Sequence, residues 1–359
     1  MRTSQLCYLA SLFLMGACGS HSDLSLDLTK LNSIEPNDSQ VNGFSVNGLT
    51  VNGLTVNGLT VNGLTVNSSA ASISSTVHRT NDLANVRFDS AALHGHQPAQ
   101  VWLTQSTLEA NDGQTSLSGA QLVGTTFAGK LLDGMNIPLR IEDVQVSNGV
   151  TLYSVSILTD AGPIPLCATS NGSPIPSIAL AGFWDKSATH VDDASAFTFG
   201  CVNAAIGKCV LWGYRPWEQT TECRNNSCKT RNLIDWHRAC VRLVRADYCG
   251  DGIAHTRSGT HINVYDQLGI QQSSNPGWAI ESEWRQDGAA CINHTRWLQA
   301  DSNWTENDLA YVQSVCPDRL ATAKGSRCDE SKSTYNTQFG FNKSSDDRPL
   351  IRNESPQYE

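Results

Sequence analysis

Asn232-Leu233-Ile234-Asp235-Trp236-His237-Arg238-Ala239-Cys240-Val241-Arg242-Leu243-Val244-Arg245-Ala246-Asp247-Tyr248-Cys249-Gly250-Asp251-Gly252 reads as a helix that runs into a glycine-bounded turn. Asn232 offers a side-chain acceptor at the helix entrance, and Asp235 places a carboxylate in the first turn. Leu233, Trp236, Cys240, Leu243 and Val244 recur at helical spacing and form one apolar face. Gly250 supplies the stop. Thr305 with Asp308 opens a second helix, running to about Val315 before Cys316-Pro317, and a shorter one spans Asn203 to Val210. Upstream and between these, Gln100 to Thr104, Leu139 to Val146, Val150 to Leu158 and His261 to Asp266 alternate or are rich in β-formers, and read as strands. The expected class is α+β, with a β-rich N-terminal part and a few late helices.

The chain has 359 residues, room for one large domain or two ordinary ones. Only 16% of them are charged, against roughly 25% in an average soluble domain, which excludes a charge-dense disordered chain. The net charge of −9 argues against a nucleic-acid partner, which needs a basic face.

Arg2, the apolar run Leu6 to Met15, and Gly16-Ala17 before Cys18 have the layout of an export leader too short to span a bilayer. Leu14-Met15-Gly16-Ala17-Cys18 resembles the bacterial lipoprotein signal box. That resemblance implies a leader over 1–17, acylation of Cys18, and a lipid bilayer as partner. Ser20, with no Asp at either position after the cysteine, points by the same resemblance to the outer membrane. The alternative is an ordinary secretory leader with an incidental cysteine, and a secreted product. Of twelve cysteines, the leader removes Cys7 and lipidation uses Cys18. The even set that remains is Cys167, Cys201, Cys209, Cys223, Cys228, Cys240, Cys249, Cys291, Cys316 and Cys328. In an exported chain this implies up to five disulfides, whose pairing spacing alone does not decide. Zinc is the competing reading, disfavoured because no Cys-x-x-Cys pair exists.

Residues 18–40 are a polar tether, and 41–85 hold the repeat Val-Asn-Gly-Leu-Thr, copied four times after Val41-Asn42-Gly43-Phe44-Ser45. A glycine in every copy excludes a helix. The odd period turns successive copies onto opposite faces of a plain strand. A flexible spacer, of ~45 Å as a coil, is preferred to a stacked β-solenoid. Leu117, Leu122, Phe127 and Leu132 repeat the five-residue rhythm. Ala120-Gln121-Leu122-Val123-Gly124 and Thr125-Thr126-Phe127-Ala128-Gly129 resemble pentapeptide-repeat proteins, and an ordered β-rich cap is expected there. The disulfide-rich domain is expected over 86–330, with a polar, loose tail at 331–359.

Val244-Arg245-Ala246-Asp247-Tyr248-Cys249-Gly250-Asp251-Gly252 closely resembles the motif for which the ADYC domain is named. Phe199-Gly200-Cys201, Ala204 to Cys209, Gly213-Tyr214-Arg215-Pro216-Trp217, His255 to Thr260, Trp284 to Cys291 and Pro138-Leu139-Arg140-Ile141 are similar to the same domain, giving a core of 115–330. The resemblance implies an exported bacterial protein and transfers no catalytic role.

Asp247, at the negative end of the helix dipole, requires a cation such as Arg242, Arg245 or Arg257. Asp247, Asp251 and His255 form a candidate acid/base group, with Arg257 to hold an anionic substrate. The competing reading, an internal Arg–Asp network beside a disulfide with Asp251-Gly252 as a turn, is preferred. Tyr214, Arg215 and Trp217 gather hot-spot residue types in one loop, a candidate face for a glycan or a protein. His94-Gly95-His96 reads as a surface loop. No nucleotide-loop, Rossmann, zinc-protease or serine-hydrolase pattern appears, so no cofactor or metal is implied. The expectation is a non-catalytic, surface-anchored binding module for an envelope glycan or protein. The alternative is a hydrolase of an extracellular polymer.

Overall fold

Asn148 and Gly149 both have positive φ, 49° and 75°, as a two-residue type I′ hairpin turn requires. They join the two longest of the described strands and set the register of the sheet around them. The structure, a computed structural model, describes residues 54–56, 83–98, 100–169, 172–224, 227–257, 260–272, 277–297, 308–323, 328 and 348–357. The expected leader, Cys18, the tether and most of the repeat block lie outside these.

The early strands are β1 (Leu54–Val56), β2 (Leu83–Arg87), β3 (Gln100–Thr104), β4 (Thr107–Asn111), β5 (Ser116–Ser118), β6 (Thr126–Leu131), β7 (Asn136–Ser147), β8 (Val150–Thr159) and β9 (Gly162–Pro165). Then come β10 (Ser177–Ala181), β11 (Phe183–Trp184), β12 (His190–Val191), β13 (Ala196–Cys201), β14 (Gln219–Arg224) and β15 (Ser227–Asn232). The last four are β16 (Thr260–Asp266), β17 (Ala279–Arg285), β18 (Gly288–Ile292) and β19 (Ile351–Ser355). Among the described residues the α-helices are α1 (Ala205–Leu211), α2 (Ile234–Arg245) and α3 (Asp308–Val315). The class is α+β and β-rich, as expected.

Strands β10, β13, β2, β6, β7 and β8 follow one another in a single sheet, and β10 returns to β8 at Ser177 opposite Tyr153. The result is a six-stranded barrel, closed there by a bond from Ser177 Oγ to the Tyr153 carbonyl (3.0 Å). A barrel this narrow must be filled by its own side chains. Phe127, Phe197, Phe199 and Tyr153 meet inside with ring centroids 5.1–6.3 Å apart. A bulge between Ile141 and Asp143 bends β7 to follow the curve. The sheet β3-β4-β5 covers one end, where Leu108 N donates to the Tyr153 hydroxyl (2.7 Å).

The second sheet has the order β1-β16-β19-β17-β18. Helix α2 packs against it, with Leu233, Trp236, Cys240, Leu243 and Val244 all buried, which is the face read from the sequence. Two readings of the sequence are corrected here. The stretch 348–357 is not a loose tail: β19 pairs with β16 on one side and β17 on the other. Its polar residues misled because they are buried with partners, Arg348 on Glu222 and Arg352 over the Tyr265 ring. The segment 117–134 is ordered and β-rich, yet it is a short 3-10 turn at Gly119–Leu122 followed by barrel strand β6. Within the repeat block, Leu54–Val56 pairs antiparallel with Thr260–Ile262.

All ten cysteines are paired, as Cys167–Cys201, Cys209–Cys240, Cys223–Cys228, Cys249–Cys316 and Cys291–Cys328. Cys209–Cys240 locks α1 to α2. Gly207 lets α1 approach β13, since a Cβ there would lie 2.4 Å from the Cys201 carbonyl oxygen.

His237, fully buried between these helices and beside Trp184, bonds Ile206 O through Nε2 (3.1 Å). Burial holds its pKa down, to about 3. The unfolded chain therefore takes up a proton below about pH 6.5 that the folded chain refuses, and stability falls as pH falls towards 3. A His237→Gln variant, which keeps a donor for Ile206, is expected to flatten this slope between pH ~6.5 and ~4.5 in equilibrium unfolding. An unchanged slope counts against His237 as its source.

Candidate functional site

Helix α2 ends where Ala246 turns left-handed at φ 52°. That turn swings Asp247 back under the helix, where it is fully buried and needs a cation. Arg242 answers it at 2.5 Å. The same guanidinium bonds the Ser187 carbonyl, Thr189 Oγ1 (2.8 Å) and the Gln286 carbonyl (3.2 Å). Asp247 also accepts from Gly252 N (3.1 Å), while Arg245 reaches the Gly252 carbonyl. Burial pushes the Asp247 carboxyl upward and the two arginines pull it back.

Tyr248 points inward and donates to Glu281 (3.1 Å) while accepting from Arg296 N (2.7 Å). Arg296, with no exposure, lays its Nε–Nη2 edge against both Glu281 oxygens at 3.0 Å and covers the Leu243 and Val244 carbonyls at the end of α2. A cation belongs there, against the negative end of the helix dipole. Glu281 is pushed up by complete burial, but Arg296 overrides this and holds its carboxyl below the usual range.

Beyond Cys249, Gly250 and Gly252 have φ of 74° and 86°. Added methyl groups would lie 1.9 Å from the Asp287 carbonyl oxygen and 2.5 Å from that of Lys186. Asp251 accepts from Ile253 N (3.0 Å), forming the expected turn. Its other oxygen receives the Tyr311 hydroxyl at 2.5 Å. The Tyr311 ring lies 4.6 Å from that of His255, whose Nδ1 is 3.1 Å from Asp308 Oδ1. Burial raises the Asp308 carboxyl, with His255 opposing.

The structure thus separates the sequence-derived quartet. Asp251 and His255 are gathered by Tyr311 and Asp308 from α3. Asp247 belongs to Arg242, on the other side of the turn. Arg257 lies 3.9 Å over the Trp297 ring. Asp308 was legible only as a helix-opening residue, and nothing local marked Tyr311, Glu281 or Arg296.

The loop Gly213 to Trp217 also changes its meaning. Tyr214 is fully buried and its hydroxyl donates to Asp266 Oδ2 (2.7 Å), so it presents nothing to a ligand. Arg215 and Trp217 are half-buried. Arg215 reaches Glu218 (2.9 Å) and the Asn148 carbonyl at the barrel hairpin (2.8 Å), and Trp217 packs on the core.

The ADYC domain family model matches residues 119–298, half of the chain. The chain belongs to the ADYC domain family. The four residues behind that name have distinct tasks in it: Ala246 turns the chain, Asp247 closes on Arg242, Tyr248 seats Glu281 and Arg296, and Cys249 bonds Cys316, the residue after α3. No curated protein and no solved structure matches the chain.

Gly252→Ala is expected to cost about 2 kcal/mol or more in denaturant unfolding, because a left-handed backbone and a carbonyl contact both oppose the methyl group. A loss below ~0.5 kcal/mol would contradict the packing of this turn.

Proposed function

We propose that this ADYC protein is a lipid-anchored, non-catalytic module of the outer cell envelope. In this reading it holds a rigid, cross-linked body clear of the membrane and binds an envelope glycan or protein. One observation carries it. Asp247, the carboxylate of the family motif, is spent on Arg242 and the Gly252 backbone inside the fold. The lipoprotein box at residues 14–18 and five disulfides support an oxidising location. Arg215 and Trp217 remain the partly exposed pair of the aromatic loop. Co-sedimentation of the acylated protein with purified cell-wall glycan should be saturable, and Trp217→Ala should weaken it about tenfold while leaving the fold intact. Equal binding by parent and variant removes this loop as the ligand face.

A second reading, an extracellular hydrolase, is favoured by the Asp308–His255 pair beside the Tyr311–Asp251 bond. Asp308 orienting His255 is the arrangement a general base requires. It predicts turnover of a polymeric glycan or protein substrate that falls at least ~100-fold in Asp308→Asn. Activity retained in that variant eliminates the dyad.

A further inference from the structure

The hairpin β14–β15 places Cys223 directly opposite Cys228, bonded, with Cα atoms 4.0 Å apart. Both residues are exposed, whereas the cysteines of the other four pairs are buried, Cys249 excepted, which is half-buried. A thiolate must reach a sulfur to exchange with it, so access ranks the five bonds, with this one first. The sequence separation it spans is only 5, so its entropic effect on the unfolded chain is the smallest of the five. What it does secure is a two-stranded hairpin, an element that is marginal in water by itself.

The residue before Cys223 faces the other way. Glu222 is buried and takes the Arg348 guanidinium in two bonds, 2.7 and 2.9 Å, with Arg231 Nε at 3.0 Å. Arg348 stands three residues before β19, the strand between β16 and β17. The hairpin therefore holds the entrance of that strand through a buried bidentate pair, which keeps its strength only while both charges stay enclosed.

We infer that Cys223–Cys228 is a thiol-exchange site, at which a small-molecule thiol opens the hairpin and loosens the Glu222–Arg348 clamp on β19. The thiolate attacks one sulfur, forming a mixed disulfide there and expelling the other cysteine as thiolate. A second thiolate then attacks the small-molecule sulfur of that adduct. It releases the small-molecule disulfide and leaves both cysteines reduced. Two electrons pass from two thiols to one protein disulfide.

The test titrates the full chain with reduced glutathione under native conditions, traps free thiols by alkylation and maps them by mass spectrometry. Cys223 and Cys228 should react first, with the other eight cysteines still paired. Opening of any other pair at the same or lower concentration, or persistence of this bond, overturns the site. Amide exchange on the opened form should rise at least ~10-fold over 351–355 and stay unchanged over 136–159. A Cys223→Ser, Cys228→Ser double variant should show the same pattern without reductant. Unaltered exchange at 351–355, or a rise across both regions, overturns the clamp.

Discussion

Arg242, Arg296, Arg348 and Arg352 rank among the largest side chains with almost no exposure. A guanidinium does not lose its proton, so each must stay charged in a low-dielectric interior and be met by acceptors placed in advance. That requirement ties together elements far apart in sequence. Arg296 needs Glu281 from β17 and the last carbonyls of α2. Arg348 needs Glu222 from β14, and Arg242 needs Asp247 and three groups from other loops. Removing one partner leaves a buried charge unanswered, which is far costlier than losing a surface ion pair.

The disulfides reinforce the same region. Cys209–Cys240 and Cys249–Cys316 fix both neighbours of the motif turn. They supplement an apolar core and do not replace one, because a single buried cluster runs from Leu83 through the barrel and α2 to Ile351. Function has to be sought where this framework leaves groups within reach of solvent. Among the described residues these include the rim around Tyr311 and Asp251, the Arg215–Trp217 edge, and the β14–β15 hairpin.

Much of the scaffold was legible locally. The apolar face of α2 is a periodicity, and β3, β7, β8 and β16 lie within a residue or a few of where alternation placed them. Asn232 accepts from Ile234 N as a helix-entry residue should, although Leu233 is the cap itself. Strand β19 was hidden because Arg352, Asn353 and Glu354 look like solvent-facing residues until Tyr265, Trp284 and Asn263 are brought to them. The candidate site was half visible. Asp251 and His255 share a short segment, but Asp308 and Tyr311 arrive from more than 50 residues away.

By itself the sequence determined the disulfide-forming set, the α2 face, the turn at Asp251 and the family, since each depends on neighbours within a few residues or on composition. The tertiary structure alone decided barrel closure, the disulfide partners, the burial of Tyr214 and the assignment of Asp247 to Arg242. These follow from which surfaces meet, and burial changes what a polar side chain is for. In water Asp247 is a candidate base; enclosed beside Arg242 it is a fastening.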